Sequence, residues 1–141
     1  MNNEAVTLIS PEALTDTAPY AYAAVAPPGA RLVFTAGACP LDDAGETVPP
    51  GDVAAQTEQA MLNLRAALTA AGAALTDVLK TTVYVATREQ ADLLAAWNVV
   101  RGHFGDHDAP STLLGVSVLG YRDQLVEVEA VAVVSGSAPG R

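Results

Sequence analysis

LVEVEAVAVV, residues 125–134, alternates with a period of two. In an extended chain Val126, Val128, Ala130, Ala132 and Val134 share one side, and Glu127, Glu129, Val131 and Val133 share the other. The first side is wholly apolar and suits burial beneath helices. The second begins with two acids and ends in valines, so it is neither a plainly solvated face nor a plain core face. A half-apolar sheet face needs a cover, and no segment remains in the sequence to supply one. The expected arrangement is a sheet with helices on one side and a second subunit on the other, the acids lying near the edge of that interface.

Upstream, residues 111–119 read as another strand, joined to 124–134 by the turn GYRD at 120–123. LKTTVYVA, residues 79–86, is a third. Asp52 is placed to cap a helix that runs to about Ala71 and stops at Gly72, with Val53, Ala60, Met61, Leu64 and Leu68 on one face. Thr87, followed three residues later by Gln90, resembles a capping box opening a second helix, whose stripe is Leu93, Trp97, Val100 and Phe104 and whose stop is Gly105. Near the start, AVTLIS (5–10) suggests a short edge strand. YAYAAVAPPGARLVFTAGACP (20–40) holds two strand-like runs split by PPGA, which is hairpin punctuation, and a Gly/Asp/Pro-rich loop comes after it. The order predicts an α+β fold: a mixed sheet with two helices on one face. Residues 1–141 form a single domain, with 1–18 peripheral and the Ser/Gly/Pro tail 135–141 frayed.

Half of the 141 residues are hydrophobic but only 5% are aromatic, so the core must be built from Val, Leu and Ala. Net charge is −9 with seven Lys and Arg in all, too few cations for the basic stripe of a nucleic-acid binder or for an anionic membrane surface. Cys39 is the single cysteine, which excludes an internal disulfide and a multi-cysteine metal site. The first nineteen residues hold no Lys or Arg and no continuous apolar run, so no signal peptide is read there. Apolar runs end well before the ~18 residues a membrane span requires. A soluble, cytoplasmic protein is expected.

Pro19–Tyr20, FTAGACP (34–40), GDVAAQTEQAMLNL (51–64), AAGAALTDVLKTTVYV (70–85), APSTLLGV (109–116) and VEVEAVAV (126–133), in this order and spacing, resemble the Rid/YjgF family, the reactive intermediate deaminases. The resemblance implies a chorismate-mutase-like fold and a homotrimer whose sheets form a central β-barrel, with ligand clefts between subunits. It also implies hydrolysis of enamines and imines, such as 2-aminoacrylate, to keto acids and ammonia, without a metal or an organic cofactor. Tyr20 matches the family's cleft tyrosine, Gly37 a glycine whose backbone lies beside the ligand, and Glu129 the acid that holds the attacking water.

The departures from the family pattern are equally specific. Where the deaminases carry an arginine that grips the substrate carboxylate, this chain has Thr112. A guanidinium offers a carboxylate a planar fork, a hydroxyl only one neutral hydrogen bond. The exchange costs ~2–3 kcal/mol, about a hundredfold in affinity. Ala36 replaces a small polar residue and Leu114 a common cleft cysteine. A cleft that is more apolar and less cationic implies a ligand other than a small α-imino acid. Arg122 in the turn and Arg101 on the second helix are the candidates to replace the missing clamp, against the ordinary reading of solvated arginines, Arg122 pairing with Asp123.

Glu127 and Glu129 also have an ordinary reading, as acids on the solvent side of an amphipathic strand. Cys39 lies just after the Gly37 turn with nothing nearby in sequence to activate it, so it reads as buried and inert. His103 and His107 have a metal-ligand spacing that Gly105 breaks, and read as surface histidines near a helix C-terminus. Trp97 reads as core, and Tyr22 is placed to share a face with Tyr20. Two functions remain open: an enamine or imine hydrolase using Glu129 and Tyr20, and a small-ligand-binding module without turnover. Endoribonuclease activity, sometimes attached to the family, is disfavoured by the charge.

Overall fold

The computed structural model describes residues 6–135. The chain runs β1 (Thr7–Ile9), β2 (Ala23–Val25), β3 (Leu32–Phe34), α1 (Val53–Ala70), β4 (Val78–Ala86), α2 (Gln90–Phe104), β5 (Ser111–Val116) and β6 (Val126–Val133). A 3-10 turn at Leu75–Asp77 leads into β4. The main sheet has the order β3-β6-β4-β5, antiparallel except for the parallel pair β4–β5. Both helices pack on one face, giving the expected α+β layers.

α1 is delimited as its sequence predicts. The Asp52 carboxylate accepts from the Ala55 N–H at 3.0 Å. At the other end Gly72 has a φ of +86°, the Gly72 N–H donates to Thr69 O and the Ala73 N–H to Leu68 O, a Schellman close. Its apolar stripe is fully buried at Ala60, Met61, Leu64 and Leu68. Each of the three larger side chains contributes roughly 2 kcal/mol of hydrophobic burial. They meet Val78, Val83 and Val85 of β4, Val126, Val128, Ala130 and Ala132 of β6, and Ala96 and Val100 of α2. Leu93, Trp97 and Phe104 lie against this core half-buried.

Three connections differ from the sequence reading. The runs either side of PPGA do not form a hairpin: β2 pairs with β1 in a separate two-stranded sheet, while β3 pairs with β6. The final two strands are not neighbours either, because β4 lies between β5 and β6 and residues 117–125 cross its end. Long-range pairing outweighs local turn chemistry in both places. α2 starts at Gln90 with Glu89 as its cap. Thr87 is therefore outside the helix; its hydroxyl donates to Asp92 at 2.6 Å and accepts from the Glu89 N–H, and no capping box forms. AVTLIS does supply a strand, β1. The reading of the tail bears mainly on residues 136–141, which lie outside the described ones.

One buried side chain fastens the loops to this frame. Gln56 of α1 is fully buried; its Nε2 donates to Pro49 O and Asp123 O, both at 2.9 Å, and its Oε1 accepts from Leu125 N at 2.8 Å. One amide thus satisfies three backbone groups from two loops, including the approach to β6. Gln56→Ala strands all three, and is expected to cost about 2–4 kcal/mol. Chemical denaturation of the variant measures this directly, and a loss below about 1 kcal/mol would show that water replaces the amide.

Candidate active site

The open face of the sheet is set by register. Thr112 of β5 pairs with Thr82 of β4, which pairs with Glu129 of β6. Two residues along, Leu114, Tyr84 and Glu127 form a parallel row. Strands lie ~4.8 Å apart, so each row spans about 10 Å. All six side chains point away from the helices.

A bulge completes the site on the other flank of β6. Thr35 N donates to Ala130 O, and Ala38 exchanges both backbone hydrogen bonds with Val128. Three steps on one strand thus match two on the other, leaving Ala36 and Gly37 opposite Glu129. The segment after the bulge is tied to α1, where Asn63 Nδ2 donates to Cys39 O at 2.8 Å and Leu41 O at 3.0 Å.

Gly37 leaves room for the Glu127 carboxylate. A Cβ placed there would lie 1.9 Å from Glu127 Oε2, so the carboxylate occupies the space a side chain would fill. Glu127 is held in that position from the other side by Gln124 Nε2, 3.2 Å from its Oε1, and Cys39 Sγ is 3.7 Å from the same oxygen. Glu129 is held differently, by the Tyr84 hydroxyl at 3.1 Å from Oε2. Neither carboxylate has an ion-pair partner among the described residues.

Burial, and then Glu127, push the Cys39 thiol above its ordinary value, so it stays protonated at neutral pH. Burial, and then Glu129, likewise raise the Tyr84 phenol, keeping it a donor.

The structure thus brings Glu129, Ala36, Gly37, Thr112 and Leu114 to one face, and leaves three candidates, Tyr20, Arg122 and Arg101, elsewhere. Tyr20 packs edge-to-face on Trp97, ring centroids 6.4 Å apart, and with Pro19, Ser111 and Leu113 lines an apolar hollow of about 260 Å³. Ser111 and Leu113 alternate with Thr112 and Leu114, so within one chain Tyr20 lies on the helix side of β5, away from Glu129. Arg122 borders a separate hollow of about 300 Å³ with Glu46 and Tyr121, and makes no ion pair with Asp123. Arg101 lies on the Tyr20 side, lining a crevice with Pro19 and Asp108. Tyr22 meets Tyr20 edge-to-face as expected, and its hydroxyl donates to Thr15 O.

The histidines prove less exposed than their sequence context suggests. His103 Nε2 is 2.9 Å from Glu58 of α1, its side chain 12% exposed, and His107 Nε2 donates to Val78 O. Sequence reasoning does not single out Tyr84 or Gln124. For Tyr84 the signal is present, because alternation in LKTTVYVA puts it on the face of Glu129.

A model of the family described as endoribonuclease L-PSP matches residues 10–134. A RutC family protein of Pyrococcus horikoshii is 35% identical over 102 residues, covering 72% of this chain and 79% of that protein. The 2-iminobutanoate/2-iminopropanoate deaminase of Escherichia coli K12 is 32% identical, covering 73% and 80%. Among solved structures, a Rid family protein of unknown function from Yersinia pestis has a TM-score of 0.83 at 32% identity, covering 92% of this chain and 98% of that one.

Cys39 is expected to react with iodoacetamide ~10-fold or more slowly than free cysteine at mildly alkaline pH, the thiolate being the nucleophile. Glu127→Gln removes a neighbouring charge that raises the thiol, so alkylation accelerates several-fold. Mass spectrometry of timed aliquots reads both rates, and equal rates in the two proteins would separate Cys39 from Glu127.

Proposed function

The chain belongs to the Rid/YjgF family, and we propose that it hydrolyses a reactive enamine or imine in a cleft between the subunits of a cytoplasmic homotrimer. The observation that carries this reading is Glu129, one oxygen fixed by Tyr84 and the other without a hydrogen bond to any described residue, on a face that also holds Gly37, Thr112 and Leu114. Water adds to the carbon of the C=N bond while Glu129 accepts a proton from it. The π pair moves to nitrogen, which takes a proton. The carbinolamine then collapses with cleavage of C–N, so that imine plus water gives carbonyl plus ammonia. An enamine enters by prior protonation at carbon.

The substrate is not the usual small α-imino acid. Thr112 and Leu114 present a hydroxyl and an alkyl group where a carboxylate would need a cation, and both are exposed to a ligand on the open face. Those two residues also favour the second reading, a small-ligand-binding module of the same fold without turnover. Endoribonuclease activity is opposed by the −9 charge. Assembly is supported by the uncovered face itself, where Phe34 is 72% exposed beside Leu32 on β3, and Leu114 is exposed on the opposite edge strand. Assembly of the subunits is also the way Tyr20 would meet a cleft that its own chain keeps on the other side of the sheet.

Ammonia and carbonyl release from enzymatically generated imines, with and without a carboxylate, tests the activity. Wild type is expected to turn over the carboxylate-free imines, Glu129→Gln to lose ~10²–10⁴-fold in kcat, and Thr112→Arg to shift preference toward α-imino acids by about a hundredfold. Turnover undiminished in Glu129→Gln would remove the proposed acid. Silence in wild type with activity in Thr112→Arg would mean an intact cleft that serves another ligand. Light scattering is expected to give three times the chain mass for wild type and a smaller species for Phe34→Glu, whereas a wild-type monomer would abolish the intersubunit cleft.

A further inference from the structure

Two carboxylates two residues apart on one strand face are chemically alike, and something must assign them different work. Tyr84 pairs across β4–β6 with Glu127, yet its hydroxyl donates to Glu129 instead. The reason lies on the far flank of β6. Glu127 is drawn toward β3, into the space left by the missing side chain of Gly37, and is retained by Gln124. That leaves the Tyr84 hydroxyl free to lean along the strand and take Oε2 of Glu129.

We propose that Tyr84 is the positioning residue of Glu129, holding one carboxylate oxygen so that the other faces a bound water or ligand. This rests on the hydrolase reading of the site. Tyr84 does not touch the reacting atoms; it removes the rotation of the Glu129 side chain that would otherwise turn the free oxygen away. Strand pairing on both sides of β6 fixes the backbone, so Tyr84 is the one described contact that fixes the carboxylate itself. Burial, and then Glu129, raise its phenol above the ordinary value, so the hydroxyl is a donor at neutral pH.

The test is Tyr84→Phe, which keeps the ring and removes only the hydroxyl. On the best imine substrate, kcat is expected to fall ~10-fold with KM changed less than about twofold, the signature of lost transition-state alignment. The difference in ultraviolet absorbance between wild type and Tyr84→Phe isolates the Tyr84 phenol. Its titration is expected to lie above the ordinary 10.0, and to move down in Glu129→Gln. An unchanged kcat overturns the proposal, and so does a phenol titration indifferent to Glu129→Gln. A rise in KM alone overturns it as well, by making Tyr84 a substrate contact. In each of those cases the hydrolase reading survives. A wild type inactive on every imine sinks that reading, and the role of Tyr84 with it.

Discussion

A strand covered by helices on one side only has no freedom of register. Sliding β6 by one residue would turn Val126, Val128, Ala130 and Ala132 outward and drive Glu127 and Glu129 beneath α1. Burying either carboxylate without a partner costs several kcal/mol, far more than any turn or cap in the chain supplies. The placement of the acids on the open face therefore comes from the same constraint that builds the core. Everything at the site is arranged around that fixed row: the bulge at Ala36–Gly37 on one flank, Thr82 and Tyr84 on the other, and Gln56 tying together the loops that lead into α1 and β6.

The features legible in the sequence are those governed by local period and local caps. The α1 boundaries, its buried stripe and the two faces of β6 as far as Ala132 result from local spacing, whereas Val133, read as facing the open side, is buried. Pairing partners are harder to read. PPGA has the chemistry of a hairpin turn, but each flanking run finds a better partner elsewhere, β1 for one and β6 for the other. The GYRD segment looks like a direct link between two strands, although β4 separates them. Thr87 has the residue type of a cap and bonds to Asp92, while the helix begins beyond it.

The site is half legible for the same reason. Glu129, Gly37, Thr112 and Leu114 can be placed by alternation and resemblance, because each sits on or beside a regular strand. The different hydrogen bonding of the two acids cannot be, since it depends on the absent Cβ of Gly37 and on a tyrosine reaching diagonally across a strand pair. Tyr20 shows the limit most clearly: its position in the fold places it beside Trp97 rather than Glu129. In a site held by neutral donors alone, geometry distinguishes the two carboxylates more sharply than charge does. Gln124 and Tyr84 each supply one hydrogen bond, and no cation joins either pair among the described residues.

The location of Thr112 and Leu114 has a consequence for how such a protein changes over generations. Both side chains stand on the outer face of the edge strand β5, exposed, where replacement disturbs neither the core nor a hydrogen-bond ladder. Glu129, two strands inward, is hemmed by pairing on both sides. The outer positions of β5 and the carboxylate on β6 thus differ in mutational tolerance. Single substitutions on β5 can therefore reshape this face at little risk to folding, whereas a change at Glu129 falls on a strand paired on both sides.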